Sequence, residues 1–311
     1  MTTLLFHHPA FLEHDTGPGH PERADRMRAV AKVLELEMFA GLGRREAPMA
    51  DEAKLRLGHP AEYIEELEAA RPPPGGLSIL IDSDTVMSPG SWEAGIRAVG
   101  AGIAAVDAVM TGAARNAFCA VRPPGHHAEA RRAMGFCLFN SIAIAAKHAR
   151  QAHGAERVAI IDFDVHHGNG TQDIFWADKD LFYGSTHQMP LFPGTGALSE
   201  RGVGNIWNAP LRDGDAGDTF RAAFEERILA NLRHFSPDLI LISAGFDAHK
   251  DDPLASLRLV EDDFIWATRE LCDVAHRHCQ GRVVSMLEGG YNLTALARCT
   301  GAHVKTLMDM D

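Results

Sequence analysis

The sequence predicts an α/β fold in three layers, a mostly parallel sheet with helices on both faces. Three observations predict it. Several apolar runs of strand length end in Gly, Asp or Asn. Stretches with helical spacing lie between those runs. Hydrophobic residues make up 46% of the 311-residue chain, enough to cover both faces of a buried sheet.

Taken in chain order, Glu22–Phe39 carries apolar residues at helical intervals and reads as the first helix. Arg71-Pro-Pro-Pro-Gly-Gly76 reads as a surface loop. The second long helix is expected over Gly90–Met110, where Gly95, Gly100 and Gly102 would let another element pack closely. A strand over Ala117–Val121 and a helix over Phe139–His153 follow. The next strand, Arg157–Phe163, contains the unbroken run Val158-Ala-Ile-Ile161, which suits burial on both faces. Leu181–Gly184 reads as a short strand and Asp218–Phe235 as a helix. Leu239–Ala244 repeats the fully apolar strand pattern, Glu261–Cys279 is helical, Arg282–Leu287 is the last strand, and Leu293–Met308 closes the chain as a helix. No repeat, low-complexity tract or long linker interrupts this alternation, so one domain is expected over residues 1–311.

Composition excludes several classes of function. Forty-two acidic against thirty basic residues give a formal charge of −12, which argues against a general nucleic-acid binder, since that requires clustered Lys and Arg. An acidic surface does suit cationic substrates. The start MTTLLFHHPAF has no basic segment followed by a long apolar core, and no apolar run is long enough to cross a bilayer. The five cysteines, Cys119, Cys137, Cys272, Cys279 and Cys299, are odd in number and form no C-x-x-C pair. A disulfide framework is therefore not expected, and a reducing, cytoplasmic location is.

Parallel sheets of this kind bind their ligands beyond the carboxyl ends of the strands. Arg157–Phe163 runs into Asp162-Phe-Asp-Val-His-His-Gly-Asn169. Asp162, Asp164 and His166 are spaced by two, so in extended backbone they share one face. Leu239–Ala244 ends in Gly245-Phe-Asp247 and delivers a further carboxylate. Asp164, His166 and Asp247 make a two-carboxylate, one-imidazole set suited to zinc or ferrous iron. A lone D-x-H after a strand more commonly caps the next helix, but two other strand ends supply the rest of a hydrolase. Arg122-Pro-Pro-Gly-His-His127 offers a histidine as general base toward a metal-bound water and as acid toward a leaving amine. Glu288-Gly-Gly-Tyr291 offers a phenol able to donate to a developing oxyanion.

These segments, with Gly19-His-Pro-Glu-Arg23, Gly135-Phe-Cys137, Phe192-Pro-Gly-Thr-Gly196, Ser243-Ala-Gly-Phe-Asp247 and Leu287-Glu-Gly-Gly-Tyr-Asn292, resemble the histone deacetylase family. The class II branch and the bacterial deacetylase-like amidohydrolases are most similar, in the same order over nearly the whole chain. The resemblance implies an arginase/deacetylase-like fold and one zinc ion per chain held by Asp164, His166 and Asp247. It makes His126 and His127 the tandem histidines, His127 the general base, and Tyr291 the oxyanion donor. Asp162 would partner His126, and Asn169 stands where the partner of His127 belongs; some members have Asp there. A potassium ion beside Asp162 and Ser185, supported by the backbone of Asp164 and His166, is also implied. Phe136, preceded by Gly135, and Phe192 would wall an acyl-lysine channel. Leu254 would sit at its rim, and Asp84 on a loop gripping the substrate.

The implied activity is removal of an acetyl group from acetyl-lysine, with acetylpolyamines and small acylated amines as alternatives; Leu254 is not the acidic gatekeeper of polyamine-selective relatives. Arginases need D-x-H-x-D and D-x-D, whereas here Asp164-Val-His166 is followed by His167-Gly168 and Asp247-Ala248 by His249, so the second metal of that family lacks its ligands. A non-catalytic acyl-ligand binder would be favoured by loss of Tyr291 or a metal ligand, and all are present. Gly202-Val-Gly204 is no dinucleotide fingerprint, Cys137 reads as a small hydrophobe, and His7 and His8 as structural. A neighbouring subunit capping the channel mouth is compatible with the sequence.

Overall fold

A computed structural model describes residues 2–310. The elements are β1 (Thr3–His7), α1 (Asp25–Leu34), β2 (Gly43–Glu46), α2 (Glu52–Leu55), α3 (Ala61–Ala69), β3 (Ile79–Leu80), β4 (Val86–Met87), α4 (Ser91–Met110) and β5 (Asn116–Cys119). They continue as α5 (Ser141–His153), β6 (Val158–Asp162), α6 (Asn169–Phe175), β7 (Leu181–Gln188), β8 (Ile206–Leu211), α7 (Gly217–Ala223) and α8 (Ala230–Phe235). The last are β9 (Leu239–Ala244), α9 (Glu261–Cys279), β10 (Val283–Leu287) and α10 (Leu293–Asp309).

Eight strands form one sheet in the order β2-β1-β5-β10-β9-β6-β7-β8, and every neighbouring pair is parallel. The expected architecture is present. The strands β5, β10, β9 and β6 are adjacent at the centre, and their residues are wholly buried, which is why they read as continuous apolar runs. The helix pair α4–α5 covers one part of the sheet, and α1, α10 and α9 pack together over another. Gly102 serves the first contact, facing Met286 of β10 and Ala145 of α5, while Gly100 admits the chain at Pro48 and Ala50 against α4. A Cβ on Gly100 would lie 1.9 Å from the Pro48 carbonyl oxygen, and one on Gly102 3.0 Å from Met286 Sδ.

The departures from expectation have local causes. The first helix is shorter than Glu22–Phe39. Glu22 is drawn into a buried ion cluster ahead of it, and Leu36 is extended before a 3-10 turn at Glu37–Phe39. The strand beginning at Leu181 runs on to Gln188 because its last four residues are polar yet buried, which an apolar pattern does not reveal. The helix expected at 218–235 contains a wider π turn over Phe224–Leu229. Strands β1, β2 and β8 and the small β3–β4 hairpin were not anticipated. The edge strand β2 is Gly-Arg-Arg-Glu, charged as edge strands commonly are, and the opposite edge β8 carries Pro210. All five cysteines are buried and unpaired. No helix among the described residues is long and apolar enough to cross a membrane.

Candidate active site

The four strand-end segments singled out in the sequence leave four laterally adjacent strands, and the register brings their ends level. Asp162 of β6 pairs with Ser243 of β9, Ser243 with Met286 of β10, and Met286 with Cys119 of β5. The loops that follow therefore converge at one edge of the sheet.

The histidine loop after β5 is held by Glu288 after β10. The Glu288 carboxylate accepts the backbone N–H groups of Gly125 (2.7 Å) and His126 (3.1 Å) and the Ser243 hydroxyl (3.2 Å). His126 Nδ1 lies 2.9 Å from Asp162 Oδ2, which also accepts from the Tyr183 hydroxyl at 3.0 Å. Burial opposes a charge on His126, but Asp162, Asp164 and Glu288 outweigh it and hold its imidazole well above the ordinary range. His127 goes the other way, pushed well down by burial with His126 and His166 adding to the effect.

His127 Nδ1 lies 2.8 Å from Asn169 Oδ1, while Asn169 Nδ2 donates to Glu129 Oε1 at 2.7 Å. With the amide nitrogen committed to Glu129, the oxygen faces His127 and accepts its Nδ1–H. That tautomer leaves a lone pair on Nε2. The amide thus fixes the ring as a neutral base without adding a charge.

Asp164, His166 and Asp247 come together as expected. Each offers a ligand atom within 4.8 Å of the other two, and all three residues are buried. Each is also tied from behind. Gly289 N–H donates to Asp164 Oδ2 (2.8 Å), Val165 N–H to Asp247 Oδ1 (2.8 Å), and His166 N–H to Asp164 Oδ1 (2.9 Å). Two glycines make the cradle. A Cβ on Gly245 would lie 1.9 Å from Asp164 Oδ2, and one on Gly289 2.3 Å from Asp247 Oδ2. Burial, and after it the charge of Asp164, push the Asp247 carboxyl up to about 7, and a divalent cation beside them would favour the ionised form. The donor set fits zinc or ferrous iron.

A cavity of about 250 Å³ opens onto this cluster. His127, His166 and Tyr291 lie at its inner end, and Gly135, Phe136, Phe192, Leu254 and Asp84, all expected, line its walls together with Leu191, which was not. Phe192 stands over His127 with ring centroids 5.1 Å apart, and Phe136 is 5.9 Å from Tyr291. Gly135 has φ +56° and a Cβ there would lie 2.5 Å from the His127 ring, so both backbone and space require glycine. Asp84 Oδ1 accepts the Gly135 N–H (3.2 Å) and the Thr85 hydroxyl (3.0 Å), so it braces the Phe136 wall as well as facing the cavity.

Several supporting residues were given no role by the sequence, although Glu22 lies in the segment Gly19–Arg23 noted there. Asp252 accepts the N–H groups of Tyr291 (2.7 Å), Asn292 (3.2 Å) and Leu254 (3.0 Å), joining the phenol to the rim. Fully buried Arg26 donates to the carbonyls of Gly290 (2.7 Å) and Glu288, and its guanidinium lies 5.1 Å from the Tyr291 ring centroid. Glu22 ties Arg26 (3.0 Å) to Arg122 (2.6 Å). The residues expected around a potassium ion also lie together: Asp162 and Ser185 are cross-strand neighbours, with Ser185 Oγ 2.9 Å from His187 Nδ1.

Comparison with known proteins shows the family and the fold. A family model described as the histone deacetylase domain matches residues 20–307. The histone deacetylase-like amidohydrolase of Pseudomonas aeruginosa is 40% identical over 295 residues, covering 93% of this chain and 77% of that protein. A probable deacetylase of Archaeoglobus fulgidus is 37% identical, covering 94% of this chain and 82% of that one. The crystal structure of the HDA15 HD domain superposes with a TM-score of 0.92 at 35% identity, covering 99% of this chain and 89% of the other.

Proposed function

The chain belongs to the histone deacetylase family, and on that premise we propose that residues 1–311 form one zinc-dependent catalytic domain that hydrolyses the acetyl amide of acetyl-lysine. One observation carries the proposal. The ligand atoms of Asp164, His166 and Asp247 cluster within 4.8 Å of one another beside a cavity lined by His166, His127 and Tyr291.

Asp164, His166 and Asp247 would hold the zinc ion, which when bound supplies Lewis acidity toward the amide carbonyl and lowers the pKa of water. His127 Nε2, left free by the Nδ1–H to Asn169 contact, takes the proton of the attacking water. The Tyr291 hydroxyl donates to the carbonyl oxygen as it becomes an oxyanion. The C–N bond then breaks, the proton held by His127 passes to the leaving amine, and acetate and the free amine result. His126, held by Asp162, contributes a positive charge beside the developing negative one. Phe136 and Phe192 enclose the aliphatic stem of the substrate, and Asp84 at the mouth accepts from its backbone or amine. Leu254 stands where polyamine-selective relatives carry an acidic gatekeeper and supplies no carboxylate at that position, so acetyl-lysine in a peptide is put ahead of acetylpolyamines and other small acylated amines. A potassium ion beside Asp162 and Ser185 would steady the loop bearing Asp164 and His166.

The test is acetate release from an acetyl-lysine peptide and from acetylated polyamines, after chelation and again after zinc is restored. Zinc-restored turnover of the peptide supports the proposal. Full activity of the chelated, metal-free protein refutes the mechanism. Turnover of the polyamine alone refutes the substrate and leaves the chemistry standing.

A further inference from the structure

A second group of metal-ligating side chains lies far from the cavity. Asp107 is near the C-terminal end of α4, and His148 and His153 are in the last turns of α5. Asp107 Oδ1 is 2.7 Å from His148 Nε2 and 2.7 Å from His153 Nε2. One ligand atom from each residue lies within 4.8 Å of the other two. The two imidazoles meet edge to face with ring centroids 5.7 Å apart, and both present the same nitrogen to the same oxygen. None of these residues belongs to the proposed hydrolytic machinery. The helix α5 runs from its Asn140 cap beside the active-site loops to its C-terminus ahead of β6. Its 13 residues span roughly 20 Å, so the two clusters sit at opposite edges of the sheet.

We infer that Asp107, His148 and His153 form a second, exchangeable site for a zinc-like divalent transition metal, clamping α4 to α5. Two neutral imidazole nitrogens and one carboxylate oxygen are a borderline-soft donor set that suits zinc, nickel or copper and not calcium or magnesium, which take oxygen ligands. Tetrahedral coordination at zinc bond lengths places ligand atoms about 3.3 Å apart. The present 2.7 Å contacts must therefore open by about 0.6 Å. The cluster has the freedom to do so. The Asp107 side chain is 49% exposed and that of His153 18%, and the same exposure leaves room for water to complete the shell.

Lys54 sets the strength of the site. Its Nζ lies 3.2 Å from His148 Nδ1, so in the metal-free form it donates to that nitrogen while Nε2–H donates to Asp107. When a metal takes Nε2, the ring proton moves to Nδ1, and Lys54 must swing out to solvent. Binding at this site therefore works against a nearby cation and has one carboxylate where the buried set has two. It is the weaker of the two sites, emptied first by a chelator.

Zinc titration by calorimetry and equilibrium dialysis of the tag-free holoenzyme, already holding one equivalent, tests this. The wild type is expected to take up a second equivalent, and zinc is expected to raise its thermal midpoint. His153→Gln and Asp107→Asn, both at partly exposed positions, should lose the second equivalent and the thermal shift while keeping the first equivalent and wild-type turnover. Lys54→Met should bind the second equivalent more tightly. Asp247→Ala removes the buried equivalent instead, so failure of the hydrolytic site and of this one are read separately. A wild-type holoenzyme that takes no second equivalent, or a His153→Gln variant that still takes it with unchanged affinity, overturns the inference.

Discussion

Glu22→Gln probes the buried ion cluster that holds Arg26 against the active site. Glu22 is fully buried between Arg122 (2.6 Å) and Arg26 (3.0 Å), with His14 Nε2 at 3.5 Å. Burial pushes its carboxyl up, but Arg122 and then Arg26 outweigh that and bring it down to about 2 from an ordinary value of 4.5. At 1.36 kcal/mol per pH unit, that displacement corresponds to about 3 kcal/mol of folding stability. Because the folded value is depressed, the contribution is complete above pH 4.5 and is lost as the pH falls toward 2. Removing the charge strands two buried guanidiniums, a class of change that costs about 3–5 kcal/mol at neutral pH. The assay is denaturant unfolding of wild type and Glu22→Gln between pH 7 and pH 2.5. The wild-type advantage should be about 3 kcal/mol or more at pH 7 and shrink progressively below pH 4.5. A variant within 1 kcal/mol of wild type at pH 7, or a difference that stays constant down to pH 2.5, refutes the reasoning. The same variant should lose turnover while it remains folded with metal bound, since Arg26 would no longer be anchored on its Glu22 side beneath Tyr291.

Other perturbations have separable readouts. Tyr291→Phe is expected to reduce kcat by roughly 10²–10³-fold with zinc content unchanged; normal turnover would remove the phenol from the mechanism. Asp247→Ala deletes one of the three proposed ligands and strips Val165 N–H of its acceptor, so zinc measured after dialysis should be lost. Gly135→Ala forces a side chain into a φ of +56° and against the His127 ring at 2.5 Å. It should cost about 1–2 kcal/mol in unfolding experiments and depress kcat with zinc retained; unchanged kcat would mean the His127 position is not critical. Asp252→Ala frees the backbone N–H groups of Tyr291 and Leu254, and about 10²-fold loss in kcat is expected from the misplaced phenol, with Asp252→Asn intermediate.

Much of the candidate site was legible because its parts are local. Spacing by two over Asp162, Asp164 and His166 marked the segment, but the strand ends at Asp162 and residues 164–166 bend. The carboxylates of Asp162 and Asp164 each accept the N–H two residues on, so a turn and not an extended face aims the last two side chains. The apolar runs of the central strands announced themselves because both their faces are buried. The same dependence on apolar pattern hid β2 and β8, edge strands with charge or proline, and the buried polar end of β7. It also hid the roles of Tyr183, Arg26 and Asp252, ordinary residue types whose partners are remote in the chain, and of Glu22, whose segment Gly19–Arg23 was noted while its ion partners were not.

The sequence by itself determined the kinds of groups and the strand ends that carry them. Only the tertiary structure decided that β10 lies between β5 and β9, which sets Glu288 under the histidine loop and Gly289 against Asp164. It also decided that Asn169 turns its oxygen to His127 because Glu129 takes its nitrogen. The physical reason is that lateral strand order and hydrogen-bond direction are settled by contacts between segments tens to hundreds of residues apart. Periodicity and spacing record only what neighbours along the chain can do.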